Sequence, residues 1–167
     1  MKPFRVLDPL HPIRNVRGRC ALAVMTKAPL AGRVKTRLVP PLISSEAAEL
    51  NRYFLSDTAA AISSVTTNRD GCGIAVYTPI GAELTYSDIL PSDFSLLAQR
   101  GEAFGRRLYF AAVDLFKCGF ESVCLIDSDS PTVPAQNFRT GCRTFERPRR
   151  SYRSGSVRRW RLLLDWT

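Results

Sequence analysis

Short apolar runs alternate with longer segments of helical spacing along the chain. The apolar runs have the length of strands and cover residues 20–26, 73–78, 95–97 and 123–126. The helical patterns, in which apolar residues recur every three or four positions, cover residues 45–64 and 104–116. Strands that alternate with helices are typical of a parallel sheet, so the pattern predicts an α/β, Rossmann-like fold.

The boundaries of the two helices carry recognisable signals. Ser44 or Ser45 can cap the first helix, and Glu46 in its first turn complements the helix dipole. Gly119 is expected to end the second helix. The face of the first helix that is predicted to pack on the sheet holds Ala47, Leu50, Phe54, Ala61 and Ile62.

The length of 167 residues predicts one domain with an irregular segment at each end. Residues 1–19 hold three prolines and no apolar run behind their basic side chains, so we expect an irregular leader and no signal peptide. No run approaches the ~18 apolar residues that a spanning helix needs. The sequence therefore predicts a cytoplasmic protein without a membrane partner, with a domain over residues 20–138 and a tail over residues 139–167.

The net charge of +9 is concentrated in the tail. Residues 139–167 contain nine arginines against Glu146 and Asp165, whereas the first 138 residues hold fifteen basic and thirteen acidic side chains. The tail shows no helical pattern that would present these arginines on one face. The domain itself therefore does not favour nucleic acid as a partner, and a basic nucleic-acid arm or a membrane-surface segment is an alternative for the tail alone.

Five cysteines and one histidine argue against several kinds of site. The cysteines are odd in number and lack paired Cys-x-x-Cys spacing, which fits neither a disulfide framework nor a zinc centre. We expect them to be reduced and to pack as small hydrophobic residues. His11 lies in the leader, so a histidine-centred catalytic triad is not expected.

A basic turn follows the first predicted strand. It carries Lys27, Arg33, Lys35 and Arg37, and it leaves the strand at its carboxyl end. In an open α/β sheet the ligand crevice lies beyond the carboxyl ends of the strands, where these cations would meet an anion such as a nucleotide phosphate. The alternative is a solvated basic loop without a ligand.

Two carboxylates follow the last predicted strand. Asp127 and Asp129 stand at alternate positions, so on an extended segment they point to opposite faces and only one is expected to be a direct metal ligand. Mg²⁺ commonly takes one or two carboxylates together with phosphate oxygens and water. Cations on one side and a metal on the other would clamp a diphosphate. The alternative is an Asx turn or a helix cap before Pro131.

Four motifs, taken together, resemble a known family. They are Lys27-Ala-Pro-Leu-Ala-Gly32-Arg-Val-Lys35-Thr36-Arg37-Leu, Glu46-Ala-Ala-Glu-Leu, Gln99-x-Gly101-x-x-x-Gly105-x-Arg107 and Ser128-Asp129-Ser130-Pro131-Thr132, in this order. The set resembles the small bacterial glycosyltransferase A-like proteins known as selenodomain-associated transferases, whose substrate is unknown. That family is similar in fold to nucleotide-diphospho-sugar transferases and to the guanylyltransferases of cofactor synthesis.

The resemblance implies a function and a set of site residues. It implies transfer of a glycosyl group from a nucleotide-diphospho-sugar to a small-molecule acceptor, with a divalent metal, Mg or Mn, on the diphosphate. Asp129 would hold the metal, with Asp127 as the second candidate, and no catalytic residue is assigned. The alternatives are a nucleotidyltransferase that releases pyrophosphate and an inactive, truncated nucleotide-binding remnant. The residues implied to contact the nucleotide and its phosphates are Lys27, Gly32, Lys35, Arg37, Gln99 and Arg107.

The chain also departs from the family pattern. Ala103 stands where the family usually has aspartate, and Asp127 stands where it usually has glycine. After Phe138 the resemblance stops, although the family continues to a Gly-Pro-Ser-Asp-Asp-Gly-Gly-Tyr-Tyr-Leu-Ile-Gly strand. When codons permitted for residues 155–166 are read one base later, they can encode that motif. The codon of each tryptophan there is TGG, and in the shifted frame its last two bases, GG, begin a glycine codon. We therefore expect a domain truncated by a frame slip and followed by a non-native tail.

Overall fold

The part of the chain that the structure describes forms six strands and two long helices. The computed structural model describes residues 4–66, 71–129 and 134–138, together with the backbone of residues 159–163. The strands are β1 (Arg5–Val6), β2 (Cys20–Lys27), β3 (Gly71–Thr78), β4 (Ser95–Ala98), β5 (Ser122–Asp127) and β6 (Arg159–Leu163). The helices are α1 (Ser44–Thr66) and α2 (Phe104–Lys117), and neither these nor any other described helix combines the length and apolar character needed to cross a membrane. All the strands and helices predicted after the leader are confirmed, with ends within two residues of those expected.

All six strands run parallel in one sheet, in the order β1-β4-β3-β2-β5-β6. From β2 the chain builds the sheet outwards through β3 to β4, and it then returns to place β5 on the other side of β2. The predicted Rossmann-like α/β fold with a parallel sheet is therefore confirmed. The direction of strand addition reverses between β2 and β5, and open α/β sheets bind ligands at the carboxyl end of such a reversal.

The two helices cover opposite faces of the sheet. Alternate residues of a strand point to opposite faces. In β2, Leu22 and Val24 join the apolar cluster under α1, whereas Ala21 and Ala23 join the cluster under α2. All four side chains are at most 1% exposed. Because β2 is buried on both faces, its sequence is continuously apolar instead of alternating, as is typical of central parallel strands.

The face of α1 that packs on the sheet agrees in part with the predicted one, since Ala47 and Ile62 are buried as expected and Ala61 packs against the same apolar cluster. Leu50, Phe54 and Ala61, which the sequence pattern placed on this face, are only partly buried. Burial of Thr58 is possible because its hydroxyl donates to the carbonyl oxygen of Phe54 at 2.9 Å, which satisfies the polar group within the helix. An apolar pattern cannot detect such a residue. The positions that are buried are Ala47, Ala48, Asn51, Leu55, Thr58, Ala59 and Ile62.

The leader contributes to the sheet, contrary to the expectation that residues 1–19 are irregular. Strand β1 pairs with β4 through Arg5 and Ser95, and the N–H of Leu7 donates to the carbonyl oxygen of Leu96 at 2.7 Å. Leu7 and Val16 are buried. The prediction missed this strand because two residues show no periodicity, and only the pairing with β4 defines them.

Part of the predicted tail also lies in the sheet. The backbone of β6 pairs with β5, from Ser122 opposite Arg159 to Ile126 opposite Leu163. The arginine-rich segment has no regular apolar pattern, so the sequence predicts no strand after β5, and the structure differs there. The rest of the tail, residues 139–158 and 164–167, lies outside the described residues.

Cys118, which is fully buried at the end of α2, provides a test of this packing. The described cysteines are all reduced. Burial raises the pKa of the Cys118 thiol to about 11, and the charge of Asp114 makes a smaller contribution in the same direction. Since the thiolate is the reactive form, we expect iodoacetamide at about pH 8 to modify Cys118 roughly 100-fold more slowly than an unperturbed thiol. Peptide mapping by mass spectrometry measures the rate, with urea-unfolded protein as the control. Labelling of native Cys118 at the rate of the unfolded control would contradict the packing of α2.

Candidate functional site

Two residues from separate motifs meet at the carboxyl edge of the sheet. The Nζ atom of Lys35 lies 2.8 Å from Oδ1 of Asp129. Lys35 belongs to the loop that follows β2, and Asp129 belongs to the turn that follows β5. Their contact, the Lys35–Asp129 pair, therefore lies where the strand order reverses, which is the usual ligand crevice of an open α/β sheet.

The ammonium group of Lys35 is held in place from several sides. The backbone of Lys35 has a left-handed conformation, with φ of 45°, directly before a short 3-10 turn over Thr36–Leu38. Its Nζ lies 4.7 Å from the centre of the Phe54 ring, which is a cation–π contact. Only 10% of the Lys35 side chain is exposed. Helix α1 thus supplies Phe54 as a support for the cation, a role that the sequence analysis missed because it placed Phe54 in the core.

The turn after β5 is organised around its own backbone. The N–H of Asp129 donates to Oδ1 of Asp127 at 3.2 Å, which forms an Asx turn. Asp127 is partly buried, and this burial raises the pKa of its carboxyl group above the ordinary value. Ser128 is also buried, whereas 55% of the Asp129 side chain is exposed. Asp127 therefore stabilises an Asx turn, which is one of the alternatives that the sequence suggests. Asp129 has the more accessible carboxylate.

The carboxylates fit a metal that is shared with a ligand better than one held by the protein alone. Within the described part of the chain, no group of three or more His, Cys, Asp and Glu side chains could hold a metal ion. Mg²⁺, however, commonly takes one or two carboxylates from the protein and completes its shell with phosphate oxygens and water. The Mg or Mn implied by the resemblance is therefore compatible with Asp129 when a phosphate ligand supplies further oxygens.

The other predicted residues of the basic loop do not join the Lys35–Asp129 pair. Lys27 is the last residue of β2, opposite Thr78 of β3, and it is exposed. Gly32 has a φ of 72°, which favours glycine, and a Cβ atom there would meet nothing within 4 Å. Arg37 is exposed in the 3-10 turn. Lys27 and Arg37 thus add positive charge to the loop without the support that Lys35 receives.

Gln99 and Arg107, which were predicted to contact the nucleotide, bind the protein's own backbone. The side-chain amide of Gln99 donates to the carbonyl oxygens of Thr26 at 2.9 Å and Val76 at 2.7 Å. This joins the ends of β2 and β3 and uses both amide hydrogens, so the amide nitrogen has no further hydrogen for a phosphate. The Nε of Arg107 donates to the carbonyl oxygen of Gly101 at 3.0 Å. Both residues therefore stabilise the sheet edge and the loop before α2.

An ion pair that the sequence analysis missed fixes the same loop. Arg100 donates to Asp114 through Nε at 2.6 Å and through a terminal nitrogen at 2.7 Å, so both carboxylate oxygens are used. The guanidinium group also lies 3.8 Å from the centre of the Phe110 ring. The Asp114 side chain is 4% exposed and that of Arg100 is 46% exposed. Because Asp114 and Phe110 belong to α2, the helix holds the loop that carries Gln99.

A surface hollow of about 940 Å³ lies at the opposite edge of the sheet. Its lining includes Arg14 and Arg17 from the leader and Phe116 and Phe120 near the end of α2. The strands begin at that edge, whereas the groups with ligand-binding chemistry lie where β2 and β5 end. We therefore assign the candidate site to the Lys35–Asp129 pair and not to this hollow.

Comparisons with known proteins agree with this fold. The family model DUF2064, described as an uncharacterized protein conserved in bacteria, matches residues 59–150 and so extends into the predicted tail. Among solved structures, a protein from Desulfovibrio desulfuricans G20 described as a candidate nucleotide-diphospho-sugar transferase matches with a TM-score of 0.65 and 26% identity. The match covers 74% of this chain and 52% of the other, so the chain spans about half the length of that protein. A search of curated proteins finds no match. The glycosyltransferase A-type fold implied by the resemblance is thereby confirmed.

Proposed function

This chain belongs to the DUF2064 family of bacterial proteins, and from that premise we propose that it binds a nucleotide-diphospho-sugar and transfers the glycosyl group to an acceptor. The observation that carries the proposal is the Lys35–Asp129 pair at the reversal between β2 and β5. The structural similarity to a candidate nucleotide-diphospho-sugar transferase supports the same class of substrate. The sugar, the base and the acceptor are left open by this proposal.

In the proposed reaction, Lys35 acts on the leaving group. The bond between the anomeric carbon and the diphosphate oxygen breaks, and the nucleoside diphosphate leaves with the electron pair. A nucleophilic atom of the acceptor forms the new bond to carbon and gives up its proton to solvent water. Lys35 donates hydrogen bonds to the diphosphate and balances the charge that grows on it, which is the electrostatic contribution expected of a fixed, desolvated cation.

The neighbouring residues have supporting roles in this proposal. Phe54 keeps the ammonium of Lys35 in position, so that little reorganisation is needed when charge develops on the diphosphate. Lys27 and Arg37 raise the local positive potential and attract the anion from solution. Asp129 would hold a divalent metal, which supplies a further positive charge against the diphosphate when it is bound.

Binding of nucleoside diphosphates to the full chain tests the proposal. We expect at least one of UDP, GDP, CDP, ADP and dTDP, with Mn²⁺ present, to raise the unfolding temperature, because a ligand at ~100 times its Kd stabilises the folded state by about 2.7 kcal/mol. Thermal unfolding followed by fluorescence measures the shift, and isothermal titration calorimetry gives the Kd. The matching nucleoside without phosphate is the control and should give no shift.

Two results would contradict the proposal, one from this binding experiment and one from an assay of turnover. If no nucleoside diphosphate binds with or without Mn²⁺, the Lys35–Asp129 pair is not a nucleotide site. If a nucleotide-sugar is bound but stays intact while a nucleoside triphosphate releases pyrophosphate, the chain is a nucleotidyltransferase. Release of free nucleoside diphosphate from a nucleotide-sugar in the presence of an acceptor extract is the expected result.

A further inference from the structure

The two charged groups of the candidate site neutralise each other in the structure. Lys35, the proposed phosphate ligand, and Asp129, the proposed metal ligand, are separated by 2.8 Å. An approaching diphosphate therefore meets a neutral pair at this point instead of a free cation, and an approaching metal ion meets a carboxylate that already has a counter-ion. Each ligand must compete with a contact inside the protein.

The surroundings of Lys35 leave little room for a phosphate unless this pair separates. One side of the ammonium faces the Phe54 ring at 4.7 Å, another faces Asp129, and only 10% of the side chain is exposed. An ammonium group has three hydrogens, and those that face an aromatic ring or a carboxylate are not available to a phosphate. A diphosphate would gain full access to the ammonium by displacing the Asp129 carboxylate.

The two halves of the pair are held with different strength. Lys35 is fixed by the Phe54 ring and by burial, whereas 55% of the Asp129 side chain is exposed. The hydrogen bond that holds the Asp129 turn runs from its backbone N–H to Asp127, so the carboxylate of Asp129 can rotate away without breaking it. Asp129 is therefore the half that moves when the pair separates.

We propose that the Lys35–Asp129 pair couples the binding of a diphosphate to the binding of a divalent cation. This inference rests on the proposed function. A cation that binds Asp129 releases Lys35 for the diphosphate, and a diphosphate that binds Lys35 releases Asp129 for the cation. Each ligand thus increases the affinity of the site for the other, and thermodynamic linkage makes the two increases equal. The site therefore binds each ligand more tightly when the other is present than when it is alone.

The variant Asp129→Asn distinguishes coupled binding of the two ligands from a site that binds only an anion. With Mn²⁺ removed by a chelator, we expect the variant to bind inorganic pyrophosphate about 5-fold to 30-fold more tightly than the unmodified chain, since Lys35 no longer has a charged partner. With Mn²⁺ present, we expect the variant to lose the gain in pyrophosphate affinity that the unmodified chain shows. Isothermal titration calorimetry measures all four affinities, and circular dichroism checks that the variant is folded.

Asp93→Asn is the matched control for the change in charge. Asp93 is exposed and accepts hydrogen bonds from the hydroxyls of Ser63 and Thr66 at the end of α1, close to where β3 begins. It therefore lies at the opposite edge of the sheet from the pair, and an amide oxygen can keep these bonds. We expect this variant to bind pyrophosphate like the unmodified chain, because only the carboxylate that faces Lys35 matters. An equal gain in both variants would overturn the proposal, since net charge alone would then explain it.

The remaining outcomes separate the coupling from the proposed function. If the unmodified chain and Asp129→Asn bind metal-free pyrophosphate with equal affinity, the coupling is wrong and the anion site stands. If neither protein binds pyrophosphate or any nucleoside diphosphate, with or without Mn²⁺, the coupling and the proposed function are both wrong. If Asp129→Asn fails to fold, Asp129→Ser, which also keeps the backbone N–H bond to Asp127, takes its place in the same comparison.

Discussion

Replacing Lys35 with methionine is expected to weaken the binding of a nucleoside diphosphate by roughly 100-fold, or about 3 kcal/mol. Two effects add in this variant. The diphosphate loses a fixed ammonium group, and Asp129 keeps a negative charge that Lys35 no longer balances. Methionine retains an unbranched side chain and can contact the Phe54 ring through its sulfur, so we expect the fold to remain intact. Isothermal titration calorimetry with the best-binding nucleotide measures the loss.

Lys27→Met and Arg37→Met are the controls for this result. Each removes the same unit of charge from the same loop, but both side chains are exposed. Water and salt screen such charges, so we expect each change to weaken binding only about 2-fold to 5-fold, and less as the salt concentration rises. Equal losses in all three variants would mean that the loop attracts the nucleotide by its overall charge. That result would contradict a specific role for Lys35.

The parallel core of the fold could be predicted from the sequence because each of its elements has a local signal. Strand β2 is a continuous apolar run, and α1 begins beside two serines and an acidic first turn. The elements that were missed lack such signals. Strand β1 is two residues long, and the buried face of α1 includes Asn51 and Thr58, so apolar spacing predicted only part of that face. Tertiary packing decides these features, and the pattern of a single segment does not contain that information.

The position of the candidate site could be predicted from the topology, but its contacts could not. Loops that leave neighbouring parallel strands at the same edge must lie close together, which is why Lys35 and Asp129 meet. No local pattern indicates that Phe54 faces Lys35 or that Gln99 donates both amide hydrogens to the backbone. Those contacts depend on how α1 and the loop before α2 pack on the sheet. The ligands assigned to Lys35 and Asp129 stay predictions until binding is measured.

The Arg100–Asp114 ion pair is one of the contacts that hold the loop before α2, and its removal is expected to be costly. Replacing Arg100 with methionine leaves the Asp114 carboxylate, which is 4% exposed, without a counter-ion. Breaking a buried pair in this way commonly costs about 3 to 5 kcal/mol, and because Arg100 is partly exposed and water screens it, we expect a loss of about 2 kcal/mol in the free energy of unfolding. Urea unfolding followed by circular dichroism measures the loss.

Two further variants show whether the cost comes from the unpaired carboxylate. In Arg100→Lys the ammonium keeps the charge but cannot bind both oxygens of Asp114, so we expect only part of the stability to return. In the double variant Arg100→Met with Asp114→Leu no buried charge remains, and we expect most of the loss to be recovered, because an apolar pair of similar size often replaces an ion pair at little cost. If the double variant is instead as unstable as the sum of its single changes, the loss reflects packing against Phe110. The ion pair would then contribute little to the loop that joins Gln99 to α2.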